Sequence, residues 1–131
     1  MKFAFQDSSN LYLGSKYCAG GSLKFALASA VGARFTETRA REYAAQMILG
    51  LGNLHRNGIV YGDLTPNMIE LDDKGYVSLA DFSMEKIVKK AKKAIVVGTP
   101  EYMAPEKIWK KFRFEGMTGM EADWYALGCI M

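Results

Sequence analysis

The sequence is short of the residues that build metal centres and disulfide frameworks. Its 131 residues include two cysteines, Cys18 and Cys129, which lie far apart, and a single histidine, His55. That inventory excludes a Cys/His zinc site, and it reads as two buried thiols in a reducing compartment. Long apolar runs are also missing, so no stretch can span a bilayer as a helix. The opening Met1-Lys2-Phe3-Ala4-Phe5-Gln6-Asp7 has no apolar core of the kind a secretory signal needs. Charge of one sign is scarce as well: 17 basic side chains against 14 acidic leave a net +3, too little to argue for nucleic acid.

What is present is ordinary for one globular domain, half hydrophobic and about a quarter charged. Phe3 and Phe5, the turn-like Asp7-Ser8-Ser9-Asn10, and Leu11-Tyr12-Leu13 predict a hairpin of two short strands. Gly20-Gly21-Ser22 breaks the chain before a short helix over Leu23 to Ala30. A longer helix follows, with Thr36 as N-cap, Glu37 in its first turn and Gly58 at its exit. Ala40, Tyr43, Ala44, Met47, Ile48, Leu51 and Leu54 recur every three or four residues and predict its buried stripe. Gly50 and Gly52 each cost that helix about 1 kcal/mol relative to Ala, and close packing against a neighbour would account for both. Ile59-Val60-Tyr61 reads as a strand. Met68 to Leu71 and Tyr76 to Leu79 read as a second hairpin around Asp72-Asp73-Lys74-Gly75. From Asp81 to about Pro105 the pattern is loop. Glu121 to Met131 reads as the start of a buried helix, and its uncapped apolar end reads as a chain cut in mid-pattern.

Four motifs occur in order: Tyr61-Gly62-Asp63-Leu64-Thr65-Pro66-Asn67-Met68, Asp81-Phe82-Ser83, Gly98-Thr99-Pro100-Glu101-Tyr102-Met103-Ala104-Pro105-Glu106, and Asp123-Trp124-Tyr125-Ala126-Leu127-Gly128. Each alone is a weak signal, but in this order and spacing they are specific. The chain resembles eukaryotic Ser/Thr protein kinases, most closely the cyclic-nucleotide-dependent branch of the AGC group. The resemblance implies an α+β, protein kinase-like fold incomplete at both ends. Residues 1–18 would supply the last small-lobe strands and the hinge, and residues 19–131 would supply part of the helical C-lobe. It implies ATP and Mg²⁺ as cofactors, a protein substrate or partner kinase, and an intracellular, cytoplasmic setting. Ser15, Lys16, Tyr17 and Cys18 would form the adenine-pairing hinge, over a floor made by the Met68–Leu79 hairpin. Asp63 would stand where the family keeps the base for the substrate hydroxyl, and Asp81 where it keeps the Mg²⁺-gripping carboxylate. Asp123 would anchor the catalytic-loop backbone. Glu106 would pair with a residue beyond Met131. Short polar residues at strand ends also satisfy loop amides, which is the plainer reading of each Asp.

The sequence departs from the family at positions that carry charge. Thr65 stands where Ser/Thr kinases have a Lys on the transferred phosphate, and a hydroxyl does not replace that charge. Met68 stands where they have an Asn ligand, and a thioether is a poor partner for a hard, oxygen-seeking Mg²⁺. Asn67 is adjacent, but in an extended segment neighbouring side chains point to opposite faces, so only a register slip would bring it in. Gly62 replaces the Arg that reads an activation-segment phosphate, and the acceptor position falls on Ile95. Ser83 replaces a hinge glycine, a minor change. Nothing in the chain matches the glycine-rich phosphate loop, the strand Lys or its helix Glu. Each lost electrostatic contact of this kind typically costs roughly 10²–10³ in rate.

The expectation is therefore a catalytically impaired kinase-family domain, a pseudokinase acting by binding. An active Ser/Thr kinase represented by an incomplete chain, and a degenerate fragment, are the alternatives. Lys86, Lys89, Lys90, Lys92 and Lys93 fall within eight residues without an acid. They read as a solvated segment, or more sharply as a dock for an acidic partner or membrane surface. His55 reads as structural.

Overall fold

The computed structural model describes residues 2–79, 98–109 and 119–131. The architecture is α+β, as expected. Strands β1 (Phe3–Gln6) and β2 (Leu11–Gly14) pair antiparallel, with Phe5 opposite Tyr12. Asp7 makes the turn: its Oδ1 accepts the Ser9 and Asn10 amides at 2.7 Å each, and its Oδ2 accepts the Tyr12 hydroxyl at 2.9 Å. Those donors, the Ser9 amide foremost, hold the Asp7 carboxyl below the usual carboxylate range.

The hairpin stays apart from the core. Phe3, Phe5, Leu11 and Leu13 are all exposed, and stacked rings along one face (Phe5 on Tyr12 at 4.6 Å) are its main side-chain contacts. A two-stranded ribbon is marginally stable in water. Amides of β1 and β2 are therefore expected to exchange with solvent orders of magnitude faster than the core amides of Ile69 and Leu71, as read by hydrogen-exchange mass spectrometry or NMR. Equal protection of the two regions would contradict this.

The second sheet is the one that matters for the site. Strands β3 (Gly21–Ser22), β4 (Ile69–Leu71) and β5 (Val77–Leu79) are antiparallel in that order, pairing Ser22 with Glu70 and Glu70 with Ser78. The two-residue strand β3 was not legible in sequence, where Gly21-Ser22 signals only a break. The β4–β5 turn is closed by Asp72, whose Oδ1 accepts the Tyr76 amide at 2.8 Å and the Lys74 amide at 3.0 Å. Gly75 follows in the left-handed region at φ 81°.

Helix α1 (Leu23–Ser29) starts where Ser22 Oγ accepts the Phe25 amide. Helix α2 (Glu37–Arg56) is capped by Thr36, which accepts the Arg39 amide, and ends with Gly58 at φ 69°. Three members of the expected stripe are buried: Tyr43, Met47 and Leu51. Ile48 is not; it lies at the edge of the stripe and is 49% exposed. Gly50 does have a packing reason, since a Cβ there would sit 3.1 Å from Leu79 Cδ1, whereas Gly52 faces open space. Close packing thus explains the first glycine and not the second.

The strand expected at Ile59-Val60-Tyr61 does not form. Residues 59–65 are irregular, and Met68 closes a turn, donating its amide to the Thr65 carbonyl at 3.0 Å. Two amides here, those of Tyr61 and Gly62, are met by a buried side chain, described below, in place of a neighbouring strand. Helix α3 (Pro105–Ile108) is short, and helix α4 (Met120–Ile130) buries Ala122, Asp123, Ala126 and Leu127 on one face. The core joins α2, β4, α4 and the irregular segment through Tyr43, Met47, Leu51, Leu64, Ile69 and Leu127.

Candidate functional site

Asp123 organises the site. It is 1% exposed, in the first turn of α4. Its Oδ2 accepts the Tyr61 amide at 2.7 Å and its Oδ1 the Gly62 amide at 2.9 Å. His55 Nε2, on the last turn of α2, lies 2.8 Å from Oδ2, and its ring meets Trp124 edge-on at 5.3 Å. One carboxylate therefore joins two helices and the loop between them, and burial strengthens each of these bonds. His55 has the structural role expected from the sequence.

Gly62 takes φ 96°, outside the region open to most L-residues. Its amide is held by Asp123 and its carbonyl accepts Lys107 Nζ. A residue with a Cβ would be strained in this backbone.

Asp63 follows, half-buried. Its Oδ1 accepts the Thr99 amide at 2.8 Å and its Oδ2 the Thr99 hydroxyl at 3.3 Å. Asp63, Gly62, Gly98, Thr99 and Lys107 line one small cavity, so motifs distant in sequence converge here. Thr65 is buried, 3% exposed. Met68 is half-buried and packs against the apolar core, while Asn67 is exposed. The expectation that residues 67 and 68 alternate as in a strand is corrected by the turn they occupy, and Met68 is held by the core all the same. Glu106 is half-buried and makes no ion pair among the described residues. Asp81, Ser83, Ile95 and the lysines from 86 to 93 lie outside the described residues.

Ser15, Lys16, Tyr17 and Cys18 form one wall of an open cleft of about 430 Å³, completed by Ala19, Gly21, Ser22 and Glu70. Lys16 reaches away to Asp72 at 3.6 Å. Burial, and then the Glu70 carboxylate, push the Cys18 thiol up from its ordinary value. Glu70 is the residue the sequence reading passed over. The signal was there: an acid between Ile69 and Leu71, whose alternation turns it to the face opposite the core.

A donor set for Mg²⁺–ATP is not assembled among the described residues. The position five after Asp63 offers a thioether turned to the core, and the cleft is lined by the Glu70 carboxylate as well as by Lys16.

A family model for the protein kinase domain matches residues 1–131. The chain is 38% identical to the cAMP-dependent protein kinase catalytic subunit of Dictyostelium discoideum over 98% of its own length and 18% of that protein's. It is 38% identical to Serine/threonine-protein kinase SCH9 of Saccharomyces cerevisiae over 100% of its length and 15% of the relative's. It is 41% identical to Protein kinase C-like 1B of Caenorhabditis elegans over 98% of its length and 17% of the relative's. The chain thus spans less than a fifth of the length of each of these relatives.

Proposed function

The chain belongs to the protein kinase family, among AGC-type Ser/Thr relatives, and from that premise we propose that it is a kinase domain impaired in phosphoryl transfer that acts by binding a protein partner. The observation that carries this reading is the neighbourhood of Asp63. The family uses ATP and Mg²⁺, and its chemistry depends on cations and oxygen ligands around the transferred phosphoryl group. Here the residue two after Asp63 is a buried Thr65, and the residue five after it is a Met68 committed to the core. The preceding Gly62 has no side chain and so brings no charge. Several such losses in one site leave little rate, even allowing for non-additivity. In this reading residues 1–18 are the end of the small lobe with the hinge, residues 19–131 belong to the larger lobe, and Asp63 and Asp81 hold the family's base and metal-ligand positions.

The second reading, an active kinase, draws on Asp63 itself, whose carboxylate is oriented by Thr99, and on Lys107 lining the same cavity. Incubating the full chain with Mg²⁺, γ-labelled ATP and a mixture of Ser/Thr peptides separates the two. The expected result is no transfer above the level of Asp63→Asn. Turnover that disappears with Asp63→Asn would sink the impaired reading.

A further inference from the structure

The cleft beside Ser15–Cys18 has a polar, acidic floor. In β4, Ile69 and Leu71 are 0% and 3% exposed and point into the core, so Glu70 between them faces the cleft. Its cross-strand neighbours in the centre of the sheet are Ser22 and Ser78, which puts two hydroxyls on the same face. Ser22 Oγ already accepts the Phe25 amide. Cys18, above this floor, is 9% exposed, and burial followed by the Glu70 carboxylate pushes its thiol up from its ordinary value. Lys16 also lines the cleft, but its side chain is 66% exposed and its ammonium lies 3.6 Å from the Asp72 carboxylate. Among the described residues Glu70 makes no ion pair. The volume of about 430 Å³ falls within the usual range for small-molecule sites.

We infer that this cleft takes a small organic cation, an amine, amidine or protonated ring nitrogen, on the Glu70 carboxylate, and disfavours an anionic nucleotide. A half-buried carboxylate offers a charge-assisted hydrogen bond to a donor-bearing cation. It repels a polyphosphate, and it interrupts the apolar surface on which an uncharged ring would lie. This goes beyond the proposed binding of a protein partner, and it rests on that reading only in placing the ligand site beside the hinge segment.

The test is fluorescence titration of the full chain with 9-aminoacridine, an organic monocation, alongside Mg²⁺–ATP. Saturable binding of 9-aminoacridine is expected, weakened roughly ten- to a hundredfold by Glu70→Gln. Glu70 is partly exposed, so Glu70→Gln is expected to unfold at the same temperature as the native chain. Raising the ionic strength is expected to weaken binding to the native chain, a check that needs no variant. Mg²⁺–ATP is expected not to compete. Absence of saturable binding, an affinity indifferent to both Glu70→Gln and salt, or full competition by Mg²⁺–ATP would overturn the inference. Phosphate transfer by the chain would instead overturn the impaired-kinase reading, so the two failures are distinct.

Discussion

Asp123→Ala is expected to destabilise the chain by about 3–5 kcal/mol, a large share of the 5–15 kcal/mol that holds a typical domain together. The substitution removes the acceptor of two backbone amides, Tyr61 and Gly62, and the partner of His55, all at a site that is 1% exposed. Buried donors left unmatched cost more than the net worth of the bonds they made, and here two of them lie on consecutive residues. His55→Ala keeps both amides paired and is expected to cost less, about 1–2 kcal/mol. Urea unfolding of the two variants against the native chain checks the order. Exchange of the Tyr61 and Gly62 amides is expected to rise in Asp123→Ala well before global unfolding. A cost below that of His55→Ala would mean that water replaces the carboxylate without penalty. Residues 59–65 would then owe their shape to something other than Asp123.

The second large effect is in the middle of α2. Leu51 is 0% exposed, and Leu51→Ala is expected to cost about 3–5 kcal/mol, through lost burial and the cavity left behind. Ile48, from the same sequence stripe, is 49% exposed, and Ile48→Ala is expected to stay within about 0.5 kcal/mol of the native chain. Denaturant midpoints at constant slope distinguish the two. Similar costs would mean that the exposed edge of the stripe is covered in solution.

These two residues mark how far periodicity reads. A spacing of three and four residues identifies a stripe but not its width, because the neighbours of a helix decide how much of the stripe they cover. Here β5 approaches α2 closely enough that Gly50 cannot carry a Cβ without contact at Leu79, while Ile48 meets no such neighbour. Helix boundaries were legible because caps are local chemistry: Thr36 accepts the Arg39 amide and Gly58 takes the left-handed turn. The two hairpins were legible for the same reason, with Asp7 and Asp72 each closing a turn on amides a few residues away. The segment Ile59-Val60-Tyr61 misled, since β-branched and aromatic residues favour strands only where a partner strand is available. Its Ile59 amide turns back to the Leu54 carbonyl, and its Tyr61 amide goes to Asp123, 62 residues away along the chain, which no local pattern announces.

The order and spacing of the motifs around Asp63, Gly98–Glu106 and Asp123 place the chain in its family by sequence alone, because side chains with fixed chemical jobs tolerate few alternatives. The same residues showed that Thr65 brings no charge and Met68 no side-chain oxygen to the positions they occupy. Only the tertiary structure decided where the surrounding groups go. It set Thr99 on Asp63, Lys107 on the Gly62 carbonyl and Met68 against the core, and it turned Glu70 into the cleft beside Ser15–Cys18. Identity is written residue by residue. Contact depends on how two helices and a three-stranded sheet pack around a shared core, and that packing is a property of the whole chain.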